Sequence, residues 1–304
     1  MARIASRIGI RIKRSDNMRK LIVVAGLGLE GGSMAKALKQ HTDHLVYGWN
    51  RTYSVAEQAL ADGTIDGIAD EEILAKCDLL IAVLYPEATI EYLERVIPLM
   101  KKGAQVVDLV GVKSAVVSAV VPVALAHGVH YTGGHPMSGQ PKAGYGQSYA
   151  GLFKGASMIL VPTAATAEGD VEDLSALFLQ AGFGRIKVCD AKTHDRMIAH
   201  TSQLSHVVSN CYVKSPASPQ YLGYTGGSYK DMTRIAGLNE KIWSELFLLN
   251  QESLLAEIDQ LIDHISEVRS AIAAGDRAQL EAVLREGREA KEHIDALNPD
   301  QPSD

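Results

Sequence analysis

The chain has 304 residues, 46% of them hydrophobic and 22% charged, so it can bury ordinary cores and has room for about two domains. Its net charge of −6 combines both signs, which excludes the strongly basic surface that binding of nucleic acid or an anionic membrane requires. No apolar run approaches the roughly 20 residues of a membrane-spanning helix. A cytoplasmic globular protein that binds a small metabolite is therefore expected.

The N-terminal segment over residues 1–17 differs in composition from the rest of the chain. It carries five basic residues against a single acid, Asp16. A presequence has this composition, and so does a start codon assigned too far upstream. Because Met18 opens the first convincing strand, residues 1–17 are interpreted as a disordered extension or a mis-assigned start.

From Leu21 to about Asp190, short apolar runs alternate with helical stretches, which is typical of a parallel sheet wrapped by helices. The predicted strands cover residues 21–25, 45–49, 79–84, 105–110, 129–132, 157–161 and 185–188. The predicted helices cover residues 33–40, 87–100, 114–127 and 171–181. The pattern indicates an α/β, doubly wound Rossmann-type domain over residues 18–190.

After His194 the strand pattern disappears, and an all-α domain is expected over residues 191–304. Apolar residues at three- and four-residue intervals predict one long helix over residues 254–272, and Gly275 is expected to end it. Asp276 and Gln279 resemble a capping box that opens a second helix. The apolar stripe of this pair either covers its own domain core or pairs with a second subunit, and the pattern leaves both interpretations open.

The three cysteines are odd in number and far apart, with no CxxC spacing and no nearby histidine pairing. They are Cys77, Cys189 and Cys211. Neither a disulfide framework nor a zinc site is indicated, and no metal is expected. Packing as small hydrophobic side chains is the expected role.

A glycine-rich turn, Gly26-Leu27-Gly28-Leu29-Glu30-Gly31, directly follows the first predicted strand and opens a helix. Gly26 would permit the tight turn, Gly28 would let the backbone, with Leu27, approach a pyrophosphate, and Gly31 would let the helix lie close to the sheet. The N–H groups at the start of the helix would then meet the phosphates. This context predicts a dinucleotide site.

The second strand ends in Asn50-Arg51-Thr52, where a site that prefers NAD usually carries an acidic residue for the ribose hydroxyls. Asn50 would not repel a 2′-phosphate, Arg51 could meet one with its charged fork, and Thr52 adds a hydroxyl. NADP is therefore favoured over NAD. The alternative is that Arg51 is a solvated surface charge and that the site takes NAD or both.

Two further segments carry candidate site residues. His135 follows a predicted strand and lies between small residues, a placement that suits a catalytic group. In the helical part, Lys230 and Arg234 are one helical turn apart, so both could face a dicarboxylate. An exposed charged face would show the same spacing.

Four segments in the same order resemble the prephenate and arogenate dehydrogenase family of tyrosine biosynthesis. They read GLGLEGGSMAKAL, GGHPMSGQPKAG, THDRMIAHTSQLSH and GGSYKDMTRIAG. The resemblance implies oxidative decarboxylation of a cyclohexadienyl acid, with hydride transfer to NAD or NADP, in a homodimer joined through the helical domain. It also implies that His135 bonds the ring hydroxyl of the substrate and that Arg234 binds a carboxylate. The same pocket would include His206, Lys230 and Trp243.

One departure from the family pattern lies at the end of the strand that leads to the nicotinamide. The family commonly has a serine before Val-Lys there, whereas this chain has Gly111 before Val112 and Lys113. Gly111 and Lys113 are still expected beside the cofactor, but Gly111 removes a hydroxyl that would touch both substrate and cofactor. Two alternatives therefore stay open: another NADP-dependent two-domain dehydrogenase or imine reductase, and a protein that senses the nucleotide without turning it over.

Overall fold

The computed structural model describes residues 19–139 and 143–297, so the extension predicted over residues 1–17 and the start suggested at Met18 lie outside the described residues. Eight strands form one sheet in the order β3-β2-β1-β4-β5-β6-β7-β8. They are β1 (Leu21–Ala25), β2 (Leu45–Trp49), β3 (Gly67–Ile68), β4 (Leu79–Ala82), β5 (Gln105–Asp108), β6 (His130–Pro136), β7 (Ser157–Pro162) and β8 (Arg185–Val188).

The predicted Rossmann-type fold is confirmed, with two corrections to the strands. The two-residue strand β3 was not indicated by the sequence, because so short a segment shows no apolar period. The sheet was expected to be parallel throughout, but β7 runs antiparallel to β6. Strand β6 extends to Pro136 because its last residues pair with β7, beyond the segment that pairs with β5.

Helices flank the sheet and then continue to Leu297, the last of the described residues. They are α1 (Leu29–His41), α2 (Tyr53–Ala61), α3 (Glu71–Lys76), α4 (Pro86–Val96), α5 (Ser114–His127), α6 (Asp170–Gln180), α7 (Ala191–Ile198), α8 (Leu204–Tyr212), α9 (Gly227–Thr233), α10 (Glu240–Leu249), α11 (Gln251–Ala274) and α12 (Arg277–Leu297). The four helices predicted before residue 190 are confirmed, the one over residues 114–127 with its predicted bounds and the other three with shifted ends. Helices α2 and α3 were missed, since α2 buries only Ala56 and Ala59 and has no wide apolar stripe.

The sheet separates two apolar layers, as its buried strands require. In β1, Ile22 and Val24 belong to one layer, while Val23 and Ala25 belong to the other. All four residues are fully buried. Strands buried on both faces hold their carboxyl ends rigidly, and the candidate site is built at that edge.

Contacts divide the chain into two compact units, one ending at Gln251 and the other beginning at Glu252. Helices α7 to α10 therefore belong to the same unit as the sheet, and the domain boundary after residue 190 stays a prediction. In the second unit, Gly275 adopts φ +63° between the two long helices, and Asp276 Oδ1 accepts the Gln279 N–H at 3.0 Å, as the capping pattern indicated. Within the described ranges, no helix is both long and apolar enough to cross a membrane.

Candidate active site

The glycine-rich turn lies between β1 and α1, beside the point where the strand order changes direction between β1 and β4. Ligands of open α/β sheets bind in the crevice that such a reversal leaves at the carboxyl ends of the strands. Gly26 adopts φ +96°, and a Cβ at this position would lie 2.2 Å from the Val83 carbonyl oxygen. A Cβ on Gly31 would lie 1.8 Å from the Gly26 oxygen. These two glycines thus allow the tight turn and the close helix.

Gly28 has a different part in this turn. It is the N-cap of α1, and a Cβ added there would meet no atom within 4 Å. The space over the start of the helix is therefore open, as the approach of a pyrophosphate requires. Burial raises the pKa of the neighbouring Glu30 to about 7, so this acid is partly neutral at neutral pH and repels phosphate less. The turn fits a dinucleotide.

Asn50 joins the end of β2 to the glycine-rich turn. Its Oδ1 accepts the Leu27 N–H at 3.0 Å, and its Nδ2 donates to the Thr52 carbonyl oxygen at 3.0 Å. The side-chain amide of Asn50 therefore stabilises the glycine-rich turn through these hydrogen bonds. Arg51 and Thr52, the next two residues, are exposed.

His135 lies at the carboxyl end of β6, close to Gly111 in the segment after β5. A Cβ on Gly111 would lie 3.7 Å from His135 Nε2 and 3.3 Å from Leu246 Cδ2 of α10. The Nε2 atom therefore points towards Gly111 and α10. Burial, followed by the nearby His194 and Lys113, lowers the pKa of His135 well below its ordinary 6.5. The imidazole is neutral at neutral pH and can accept a proton.

A second histidine lies directly behind the first. Nε2 of His194, near the start of α7, is 2.9 Å from Nδ1 of His135. Nδ1 of His194 is 2.7 Å from Oδ1 of Asp195. Asp195 also accepts the backbone N–H groups of Lys113 and Ser114, each at 2.7 Å. Both His194 and Asp195 are almost completely buried.

Lys113 was expected beside the cofactor, but the structure turns its side chain inward. The ammonium is fully buried, bonds Oδ1 of Asp108 and donates to the Gly134 carbonyl oxygen at 2.7 Å. The Tyr131 hydroxyl donates to the second oxygen of Asp108 at 2.7 Å. The side chain of Lys113 therefore has no exposed surface to offer a ligand. Its position instead ties β5 to the strand that carries His135.

Among the residues predicted to bind substrate, His206, Trp243 and Arg234 come together. The rings of His206 and Trp243 lie 3.9 Å apart between centroids. His206 Nδ1 lies 3.2 Å from the carbonyl oxygen of Ile235, the residue next to Arg234. Burial lowers the pKa of His206, the Ile235 carbonyl opposes this, and the charge of Arg234 lowers it further. Lys230 is exposed on α9, one turn before Arg234. Since α10 carries both Trp243 and Leu246, it connects this group to the surroundings of His135.

Sequence reasoning missed His194, Asp195 and Asp108 as members of the site. His194 and Asp195 lie inside the THDRMIAHTSQLSH segment, which was recognised only as a motif. For Asp108, the sequence offered one signal: an acidic residue at the end of an apolar strand. Nothing in the spacing of these residues along the chain indicated that they would meet His135.

Two family models match nearly the whole described chain. The model for the nucleotide-binding domain of prephenate dehydrogenase matches residues 34–187, and the model for its dimerization domain matches residues 190–286. A cyclohexadienyl dehydrogenase of Zymomonas mobilis is 28% identical over 282 residues, which cover 90% of this chain and 95% of the relative.

Solved structures share the fold. A prephenate dehydrogenase of A. aeolicus, in complex with hydroxyphenyl propionate and NAD+, superimposes with a TM-score of 0.80 at 24% identity, covering 93% of this chain and all of that one. A Synechocystis arogenate dehydrogenase superimposes with a TM-score of 0.77 at 23% identity, covering 90% of this chain and 99% of that one. On the two matched domain models, this chain belongs to the prephenate dehydrogenase family of oxidoreductases.

Proposed function

We propose that this chain oxidatively decarboxylates prephenate or its amino analogue arogenate, with NADP favoured over NAD as hydride acceptor. The observation that carries the proposal is the neutral imidazole of His135, with Nε2 directed towards Gly111 at the carboxyl edge of the sheet. The glycine-rich turn and the group of His206, Trp243 and Arg234 supply the expected binding contacts on either side.

In this mechanism His135 accepts the proton of the ring hydroxyl through Nε2. A nicotinamide held at the glycine-rich turn would supply the acceptor for the hydride of the same ring carbon. Loss of carbon dioxide from the opposite carbon then makes the ring aromatic, which drives the reaction. The protein therefore needs to align the ring, hold the carboxylates and receive one proton.

The direct test is turnover by the purified full chain. Prephenate and arogenate are each supplied with NADP and with NAD, and the absorbance of the reduced nicotinamide is followed. Formation of reduced cofactor with either acid supports the proposal. A chain that binds the nucleotide without reducing it with either acid would instead be a nucleotide-sensing protein. Reduced cofactor formed only with unrelated hydroxy or amino substrates would indicate another two-domain dehydrogenase.

Arg234 is proposed to bind a substrate carboxylate, with Lys230 as a second cation on the same helical turn. We expect Arg234→Ala to raise the KM for the acid about 10- to 100-fold, because a charge-assisted hydrogen bond contributes about 1.5–3 kcal/mol. Steady-state kinetics should show a much smaller change in kcat. The KM of Arg234→Lys should lie between those of wild type and Arg234→Ala, since lysine keeps the positive charge but lacks the planar guanidinium. An unchanged KM in Arg234→Ala would place the carboxylate elsewhere.

Arg51 is proposed to meet the 2′-phosphate of NADP. We expect Arg51→Ala to raise the KM for NADP at least about 10-fold and to leave the KM for NAD unchanged, because NAD has no phosphate at that position. Arg185→Ala, which removes an exposed arginine from the far edge strand β8, is the matched control. An unchanged KM for NADP would return Arg51 to the solvated surface, and equal increases for both cofactors would place it against a part of the nucleotide that they share.

A homodimer joined through the helical part is proposed as the assembly. The match to a dimerization domain over residues 190–286 supports it. So does the exposure of large apolar side chains on α11, among them Ile262, Ile265 and Ile272. The cytoplasmic location stays a prediction.

A further inference from the structure

His135, His194 and Asp195 form one unbroken series of hydrogen bonds, and its chemistry determines where each proton lies. A carboxylate can only accept, and Asp195 already accepts two backbone N–H groups from the start of α5. Although burial acts to raise it, hydrogen bonds from His194 and Ser114 keep the pKa of Asp195 below its ordinary value. Asp195 is therefore an anion, and Nδ1 of His194 must carry the proton that it accepts.

The protonation of the two imidazoles is fixed by this first assignment. Burial lowers the pKa of His194 more than Asp195 raises it, so the ring is neutral and its Nε2 is an acceptor. The partner at 2.9 Å, Nδ1 of His135, must then be the donor. A neutral His135 that is protonated on Nδ1 has its lone pair on Nε2, the atom directed towards Gly111.

We propose that His194 and Asp195 are positioning residues for His135, holding its Nε2 unprotonated and taking over the positive charge when a substrate proton arrives. The inference rests on the proposed role of His135 as proton acceptor. The substrate hydroxyl proton binds Nε2 of His135, and the proton on Nδ1 of His135 moves to Nε2 of His194. His194 is then an imidazolium paired with Asp195. When loss of carbon dioxide leaves a phenolate, the proton returns along the same path to that oxygen.

The charges around these three residues explain why a relay is needed. Lys113 opposes a positive charge on both rings, whereas the carboxylates of Asp195 and Asp108 offset this effect at His194. His194 has the carboxylate of Asp195 at 2.7 Å, so a cation is better stabilised on His194 than on His135. Gly111 and Leu246, the neighbours on the Nε2 side, carry no charge.

Asp195→Asn tests the proposal, because an amide has one acceptor oxygen for three donors and must turn its NH₂ group towards one of them. We expect kcat to fall by roughly 10²- to 10⁴-fold, as when a general base is held in the wrong tautomer, while the KM values stay within about threefold. Raising the pH should not restore kcat. The matched control is Asp190→Asn, an exposed N-cap of the same helix whose amide still caps Thr193, and it should behave like wild type.

His194→Gln keeps an acceptor for Nδ1 of His135 but cannot become a cation, so it should lower kcat with the tautomer retained. If Asp195→Asn fails to fold, the kcat of His194→Gln tests the proposal instead. The ¹⁵N NMR signals of the imidazoles in the free protein, assigned with His135→Asn, report the tautomer without any turnover. We expect Nδ1 protonated and Nε2 unprotonated in wild-type His135.

The outcomes separate the inference from the proposed function. A wild-type protein that turns over neither acid but shows this tautomer would refute the function and leave the positioning role standing. A protonated Nε2 in active wild-type protein would overturn the positioning role alone. So would wild-type kcat in both Asp195→Asn and His194→Gln.

Discussion

His135→Asn is expected to lower kcat by about 10²- to 10⁴-fold, the usual contribution of a general base, with a comparatively small change in the KM for substrate. The amide can still hydrogen-bond a hydroxyl, but it cannot accept its proton. Steady-state kinetics on the purified chain measure the effect. His127→Asn makes the same change at an exposed histidine near the end of α5 and should leave kcat unaltered. Near-normal turnover in His135→Asn would remove this residue from the mechanism.

The pH dependence of the same enzyme provides a second readout. Burial, with His194 and Lys113, places the pKa of His135 well below 6.5, and only the neutral ring can accept a proton. As the pH falls through 6.5, kcat/KM should therefore remain on its plateau, and it should decline only at lower pH, where the ring becomes protonated. A decline centred near 6.5 would indicate an imidazole that is not enclosed in this way.

Asp108→Asn should have the largest effect on stability, lowering the free energy of unfolding by about 3–5 kcal/mol. Asp108 is fully buried, bonds the ammonium of Lys113 and accepts hydrogen bonds from the Tyr131 hydroxyl and the Val110 N–H. Asparagine keeps the shape but leaves a buried cation without its counter-charge. The loss is a large share of the roughly 5–15 kcal/mol that stabilises a typical domain. Urea unfolding followed by circular dichroism measures it.

Two variants show whether the charge of Asp108 is the cause. Asp108→Asn combined with Lys113→Met removes the stranded cation and should recover much of the loss. Glu72→Gln breaks an exposed ion pair with Lys76 and should have no detectable effect. If Asp108→Asn alone unfolds at the wild-type urea concentration, the charge of Asp108 does not stabilise the fold.

Gly111 has a clear structural consequence. The resemblance to the family led us to expect a serine at this position, and the Cβ of a serine would lie 3.7 Å from His135 Nε2. A hydroxyl would therefore lie beside the proton acceptor. Without it, orientation of the imidazole depends on the partners behind the ring, His194 and Asp195.

The sequence by itself determined the features that depend on neighbours along the chain. Apolar runs located seven of the eight strands, and the GxGxxG pattern located the turn that Gly26 and Gly31 make possible. The sequence also predicted the helix end at Gly275 and the N-cap at Asp276, because capping involves residues within one helical turn of each other.

Only the tertiary structure decided the features that depend on pairing between distant segments. Strand β7 runs antiparallel to β6 because of the way the chain returns to the sheet. The side chain of Lys113 turns inward because its ammonium meets Asp108 of β5 and the Gly134 carbonyl oxygen of β6. His135 and His194 are 59 positions apart, yet their rings share a hydrogen bond. Local pattern records the preferences of single segments, whereas hydrogen bonds and charges across such separations exist only after the chain has packed.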